Sequence, residues 1–259
     1  MNINNQKIDS IALHSAQAPF YKYRIPYLEE WFKKLVETLD LDRESILLDI
    51  CCGLGELSKG LADKVGHIYA VDGSEAMLAR AYQAKNISYA LCDLNFVDYA
   101  PPRKVDCILI GRAVHWLHAD RLQHLISSSL TERGVVLVCS TQVLPVGEWF
   151  GIYKKVLSSY MTYIKTGKRF DHSGKETMEK IGFSQKFTIE ASSIQTFDLD
   201  YLLNSTLATT YGDDLENLLQ HLDKFRAELA TNIGSVIVNQ PLSWKVLTWG
   251  ILYAKTQSH

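Results

Sequence analysis

The tightest constraint on this 259-residue chain is a rhythm. From Ser45 to about Thr141, short apolar runs alternate with stretches whose apolar residues recur at helical spacing. The runs at 45–52 (SILLDICC), 67–72 (HIYAVD), 88–93 (SYALCD), 106–112 (DCILIGR) and 134–141 (GVVLVCST) predict strands. Between them, apolar positions 57, 61, 62 and 65 predict a helix that Gly66 ends. Residues 74–85 predict a second helix with Ser74 as N-cap, and residues 115–130 a third. Strand, helix, strand repeated in this way calls for parallel strands joined by right-handed crossovers.

Before this core, Tyr27, Leu28, Trp31, Phe32, Leu35, Val36 and Leu39 mark an amphipathic helix. After Thr141 the rhythm breaks. Residues 147–170, 198–211 and 214–232 predict helices, and 187–191 and 244–255 predict the closing strands. The expected fold class is α/β: a doubly wound, mostly parallel, seven-stranded sheet, with a helical cap inserted between the late strands over its carboxyl edge. The expected division is 1–141 for the leading helix and core, 142–232 for the cap with an intervening strand, and 233–259 for the closing strand.

Composition excludes several classes. Net charge is −2, so no basic field invites nucleic acid or an anionic membrane. No window approaches 18 apolar residues, and the first 15 residues lack a signal-peptide pattern, so the expected location is the cytoplasm. Cys51, Cys52, Cys92, Cys107 and Cys139 form no metal-ligand spacing, and adjacent cysteines are a strained disulfide pair. They are expected to be small, reduced core residues within strands, and no metal is expected.

The chemistry concentrates at the strand ends. Gly53-Leu54-Gly55 follows the first strand, where a glycine turn lets backbone approach a ligand closely. Asp72 ends the second strand, the place of an acid that holds ribose hydroxyls. A dinucleotide fingerprint needs Gly or Ala at 58, and Ser58 stands there, which counts against a dinucleotide. Asp49 lies inside the first strand, where its charge repels a pyrophosphate and suits a cationic or amino-bearing ligand. Asp93 ends the third strand. Three acids at consecutive strand ends suit a positively charged nucleoside without phosphates, of which S-adenosylmethionine (SAM) is one.

These stretches together resemble class I SAM-dependent methyltransferases, a Rossmann-like family. LLDICCGLGELSKGLA (47–62) resembles the first motif, with Cys52, Gly53 and Gly55 on its Cys-Gly-x-Gly. VDGSEAMLARA (71–81), ALCDL (90–94) and DCILIGRAVHWL (106–117) resemble the three that follow. The His-Trp of the last, and YKYRIPY (21–27), are similar to a small-molecule subgroup that includes trans-aconitate methyltransferases. The resemblance implies that Asp49 sits near the methionine amino group and that Gly53 and Gly55 permit close approach. It implies that Asp72, followed by Gly73, takes the ribose hydroxyls, that Met77 packs on adenine, and that Asp93 and Leu94 contact the base. Tyr23, Cys51 and Arg112 complete the implied cofactor set. Cys51 stands where the family has Gly, so that turn position is expected to give up the freedom to take positive φ.

Methyl transfer from a sulfonium requires alignment and exclusion of water, and a base only where the acceptor must lose a proton. His115 is the candidate base, and the alternative is a structural histidine packed with Trp116. Tyr21, Trp116, Trp149 and Tyr153 are candidate substrate contacts, forming an aromatic pocket for a small organic acceptor whose oxygen is methylated. Arg112 would bind an acidic group or pair with a carboxylate. A SAM-binding protein of this fold without methyl transfer, and a nicotinamide oxidoreductase, stay open at this point.

Overall fold

The computed structural model describes residues 10–162, 173–237 and 241–256. Strands β1 (Ile46–Ile50), β2 (His67–Asp72), β3 (Ile87–Leu91), β4 (Val105–Gly111), β5 (Leu130–Val146), β6 (Phe183–Phe197) and β7 (Leu242–Lys255) form one sheet in the order β3-β2-β1-β4-β5-β7-β6. β1 to β5 pair in parallel, and β7 runs antiparallel between β5 and β6. The expected seven-stranded, doubly wound sheet is therefore present. Its order reverses beside β1, so the carboxyl ends of β1 and β4 flank a crevice.

Helices cover both faces. α2 (Glu29–Leu39) buries Trp31, Phe32 and Leu35, and the Trp31 indole N–H donates to the Ile189 carbonyl of β6 at 3.1 Å. α3 (Glu56–Leu61) lies on the same side, in one core with Leu47 of β1 and Leu109 of β4. α5 (Ala119–Ser129) packs opposite, with Leu122, Leu125 and Ile126 against Leu48, Ile108 and Val138. This alternation along the strands decides which way each side chain faces.

Several elements differ from their sequence expectations. The helix expected over 74–85 is α4, only Glu75–Leu78, because the Tyr82 N–H turns back to bond the Leu54 carbonyl at 3.0 Å. Ser74 does cap it, its hydroxyl accepting from the Met77 N–H. The stretch 115–130 starts with a 3-10 turn (Val114–Trp116) before α5. Of the helix expected over 147–170, α6 covers Trp149–Leu157, and residues 163–170 lie outside the described residues. α7 (Lys175–Lys180) follows it, and both lie between β5 and β6. α8 (Leu199–Thr209), α9 (Gly212–Gln220) and α10 (Leu222–Ile237) lie between β6 and β7, the last two replacing one helix expected over 214–232. β5 runs unbroken through residue 141, and β6 pairs with β7 from Phe183 to Phe197. The cap is thus threaded onto long strands of the same sheet. One helix, α1 (Ser10–Gln17), had no sequence expectation.

All five cysteines are free thiols. Cys107 and Cys139 are buried in β4 and β5, whereas Cys51, Cys52 and Cys92 lie just past the ends of β1 and β3, not in strands.

Gly66 is required for a reason other than helix termination, since α3 already ends at Leu61. A Cβ on Gly66 would collide with the Arg43 backbone carbonyl, and the Gly66 N–H bonds the Ser45 carbonyl at 3.0 Å. Backbone cannot give way as a side-chain tip can. Gly66→Ala is expected to lower stability by about 1–3 kcal/mol, measured by denaturant unfolding; an unchanged midpoint would show that the β1 entry turn yields freely.

Candidate functional site

β1 reads Ile-Leu-Leu-Asp-Ile. Ile46, Leu48 and Ile50 pack in the core with α5, so Leu47 and Asp49 face α3. Asp49 is buried, and its Oδ2 accepts from the Ser58 N–H at 3.2 Å and the Ser58 hydroxyl at 2.7 Å. Burial pushes its pKa up to about 7 against those two hydrogen bonds. Ser58, a departure from the dinucleotide fingerprint, is thus the partner that makes an acid tolerable inside β1.

The turn after β1 is tied to the turn after β2 by Asp72. Its Oδ2 accepts from the Gly53 N–H and its Oδ1 from the Ser74 N–H, each at 2.8 Å. Burial raises its pKa while these amides oppose the shift. Three residues of the first turn take left-handed backbone: Cys51 (φ 52°), Gly53 (φ 56°) and Gly55 (φ 74°). Cys51 therefore adopts the conformation its side chain was expected to forgo, and stores strain there. Gly53 leaves a Cβ-sized gap only 3.3 Å from Tyr21. Gly55 serves the fold, since a Cβ there would strike the Tyr89 hydroxyl, and it lines no cleft.

Above these ends lies a cleft of about 70 Å³. Ten expected residues line it: Tyr21, Cys51, Gly53, Asp72, Gly73, Met77, Asp93, Leu94, Arg112 and Trp116. Tyr21, expected at the substrate, lines the cleft beside the glycine turn. Asp49 lines a smaller adjoining recess with Tyr27, Glu56 and Arg112. Arg112 also has left-handed backbone (φ 58°). Its guanidinium, almost fully buried, pairs with Glu56, donates to the Ile25 carbonyl at 2.9 Å and lies over the Tyr27 ring. Of the two roles open to Arg112, it takes the pairing one.

The cleft also holds residues that sequence reading missed. Ile11 and His14 come from α1, which closes over the site: Ile11 packs against Gly73, and the Ser15 and Ser74 hydroxyls bond at 2.7 Å. His14 packs edge-on against Trp116 and Tyr211. The stretch SIALHSAQ gave no signal because it is short and its importance lies in what it covers. Asn95 orders the far wall, its side chain bonding the Trp116 carbonyl and the His118 N–H.

Other expected residues lie elsewhere. Tyr23 packs against Tyr201 of α8 and does not line the cleft. His115 does not line it either; its ring rests on Trp116, one residue further along the 3-10 turn. Trp149 and Tyr153 line a separate cavity under the cap. Among the described residues, no group of three or more His, Cys, Asp or Glu is placed to hold a metal, and no helix is long and apolar enough to cross a membrane.

The donor set fits SAM. It offers Asp72 tied to the glycine turn, Asp93 in the same cleft, Asp49 in the adjoining recess and a close backbone approach at Gly53.

Comparison with known proteins agrees with this geometry. A family described as "Methyltransferase domain" matches residues 47–131, the segment from β1 to the start of β5. This part of the chain is similar to that domain family. Two 23S rRNA (uracil(1939)-C(5))-methyltransferases are similar over a short stretch; that of Haemophilus ducreyi is 29% identical over 75 residues, 29% of this chain and 17% of its own length. A protein described as a type II methyltransferase from Anaeromyxobacter dehalogenans shares the fold, with TM-score 0.61 and 18% identity, over 91% of this chain and 99% of that one. The [4+2]-cyclase SpnF also shares it, with TM-score 0.55 and 15% identity over 95% of each chain.

The strain at Cys51 is testable without a ligand. Cys51→Gly removes about 1–2 kcal/mol of left-handed strain and adds about 0.5–1 kcal/mol of unfolded-state entropy. It is expected to raise the thermal midpoint slightly; a clear fall would mean that the Cys51 thiol itself holds the turn.

Proposed function

We propose that this protein is a SAM-dependent methyltransferase that methylates a small organic acceptor at oxygen, on a hydroxyl or a carboxylate, in the cytoplasm. The observation that carries the proposal is the double anchoring of Asp72. It leaves a fixed carboxylate at the second strand end facing the cleft beside Gly53. Asp93 lines the same cleft, and Asp49 and Glu56 line its recess. The cation lining the cleft, Arg112, is already paired with Glu56. Such a surface repels a pyrophosphate and suits a sulfonium nucleoside, which disfavours the nicotinamide reading.

In this reading Asp72 accepts from the ribose hydroxyls, Asp93 and Leu94 meet the base, Met77 packs below it, and Asp49 faces the amino group. When bound, SAM supplies an electrophilic methyl group and leaves as a neutral thioether. The chain supplies alignment, and α1 supplies exclusion of water. A carboxylate acceptor needs no base. For a hydroxyl acceptor, His14 rather than His115 is the imidazole in the cleft.

Two comparisons bear on rivals. The fold is shared with a [4+2]-cyclase, so fold alone does not decide between methyl transfer and another use of the cleft. The rRNA methyltransferases match under a fifth of their length, and a net charge of −2 offers no field for RNA. Methyl-labelled SAM incubated with an extract of small metabolites is expected to transfer label to one of them. Tight SAM binding with no label transferred would favour the non-transferring reading.

Asp72→Ala is expected to weaken SAM by about 1.5–3 kcal/mol in calorimetry, through lost charge-assisted hydrogen bonds; unchanged affinity would remove the ribose role. A second expectation follows from Asp49. Its carboxylate is raised to about 7 in the free protein, and a ligand ammonium stabilises the ionised form. Binding must therefore tighten as pH rises toward 7, releasing a proton, and SAM affinity is expected to fall about tenfold from pH 7 to 5.5. Asp49→Asn should flatten this profile; a wild-type profile already flat would refute the pairing.

A further inference from the structure

The cavity under the cap lies apart from the cleft and is built from α6, α8 and the projecting ends of β5 and β7. Its volume is about 130 Å³. An apolar cavity of about 150 Å³ takes one benzene, so this slightly smaller one limits a ligand to at most a single six-membered ring. Trp149, Phe150 and Trp244 supply aromatic walls, and no charged side chain among the described residues lines it.

Its polar groups show a definite polarity once their protons are traced. The Thr206 hydroxyl donates to the Leu202 carbonyl at 2.7 Å, so its single proton is spent. In the 2.8 Å contact between Tyr153 and Thr206, Tyr153 must then be the donor. Burial pushes the Tyr153 pKa up to about 12, against that hydrogen bond, so the phenol keeps its proton. Thr209 spends its proton on the Ser205 carbonyl at 2.9 Å. The Tyr153 oxygen is left with acceptor capacity alone. Of the lining hydroxyls, Ser205 keeps an uncommitted proton, a single neutral donor against the several that a buried carboxylate requires.

Ile25 stands between the cavity and the cleft. Its side chain lines the cavity, and its carbonyl accepts from Arg112, which lines the cleft.

We propose that this cavity is a binding site in its own right, separate from the cleft, and that it takes a compact, largely apolar molecule of one ring bearing a hydroxyl, bound by donation to the Tyr153 oxygen. Trp149, Phe150 and Trp244 provide the apolar walls, Tyr153 reads the hydroxyl, and a carboxylate is disfavoured.

Phenol, toluene and benzoate, which differ in the polar group on one ring, test this on the full chain by calorimetry and by the fluorescence of Trp149 and Trp244. Phenol is expected to bind about tenfold more tightly than toluene, one hydrogen bond's worth, and benzoate to bind least. Tyr153→Phe, checked for folding by circular dichroism, should abolish the preference for phenol and leave SAM affinity unchanged. Equal binding of phenol and toluene to the wild-type protein, benzoate matching phenol, or no ring binding while SAM binds normally would each overturn the assignment. Those readings need no variant. Selective phenol binding without any SAM binding would keep the hydroxyl-reading cavity and defeat the methyltransferase reading.

Discussion

The site depends on one carboxylate that holds two turns together. Asp72 takes the Gly53 amide on one oxygen and the Ser74 amide on the other. Each amide begins a turn that follows a strand, and the Cys52 N–H adds a backbone bond from the first turn to the Val71 carbonyl of β2 at 3.0 Å. A short side chain ending β2 therefore sets the distance between the glycine turn of β1 and the start of α4. With both amides supplied by the protein, the half-buried carboxylate is fixed in place where it lines the cleft. The fold and the proposed ligand thus use the same group.

The neighbouring features follow from placing so much charge at strand ends. Asp49 is buried one strand away and is tolerated because Ser58 gives it two donors and because its proton is held to about pH 7. Arg112, at the end of β4, is answered by Glu56 on the first turn of α3. The Glu56 Oε1 in turn accepts from the Tyr27 amide at 3.2 Å, which ties the segment leading into α2 to the same network. Left-handed backbone at both Cys51 and Arg112 places strained residues on the two strands that flank the crevice. Strain of this kind persists where surrounding structure over-determines it, and here the pairing network supplies that.

The parallel core was legible because its signal is local. The central strands β1, β2 and β4 are buried on both faces and so read as continuous apolar stretches, and the acids and glycines fall at fixed offsets from them. What failed in reading the core failed for tertiary reasons. Residues 74–85 have helical spacing throughout, yet the chain leaves the helix after Leu78 because Tyr82 finds a better partner in Leu54. Gly66 looked like a helix stop and is a point of backbone contact. His115 sits next to the cleft residue Trp116 in sequence, but the 3-10 turn brings Trp116 into the cleft and not His115.

By itself the sequence determined the sheet, the glycine turn and the acids at the strand ends, since each is set by residues within a few positions of one another. It also carried the family likeness, which lies in those same segments. The tertiary structure alone decided that α1 closes the cleft and that Arg112 is neutralised by Glu56. It alone decided that Ser58 sustains Asp49, and that Trp149 and Tyr153 line a second cavity. These partners are separated by many residues, or by a fold of the chain that periodicity does not encode. Burial and hydrogen-bond satisfaction, which are properties of the packed molecule, settle them.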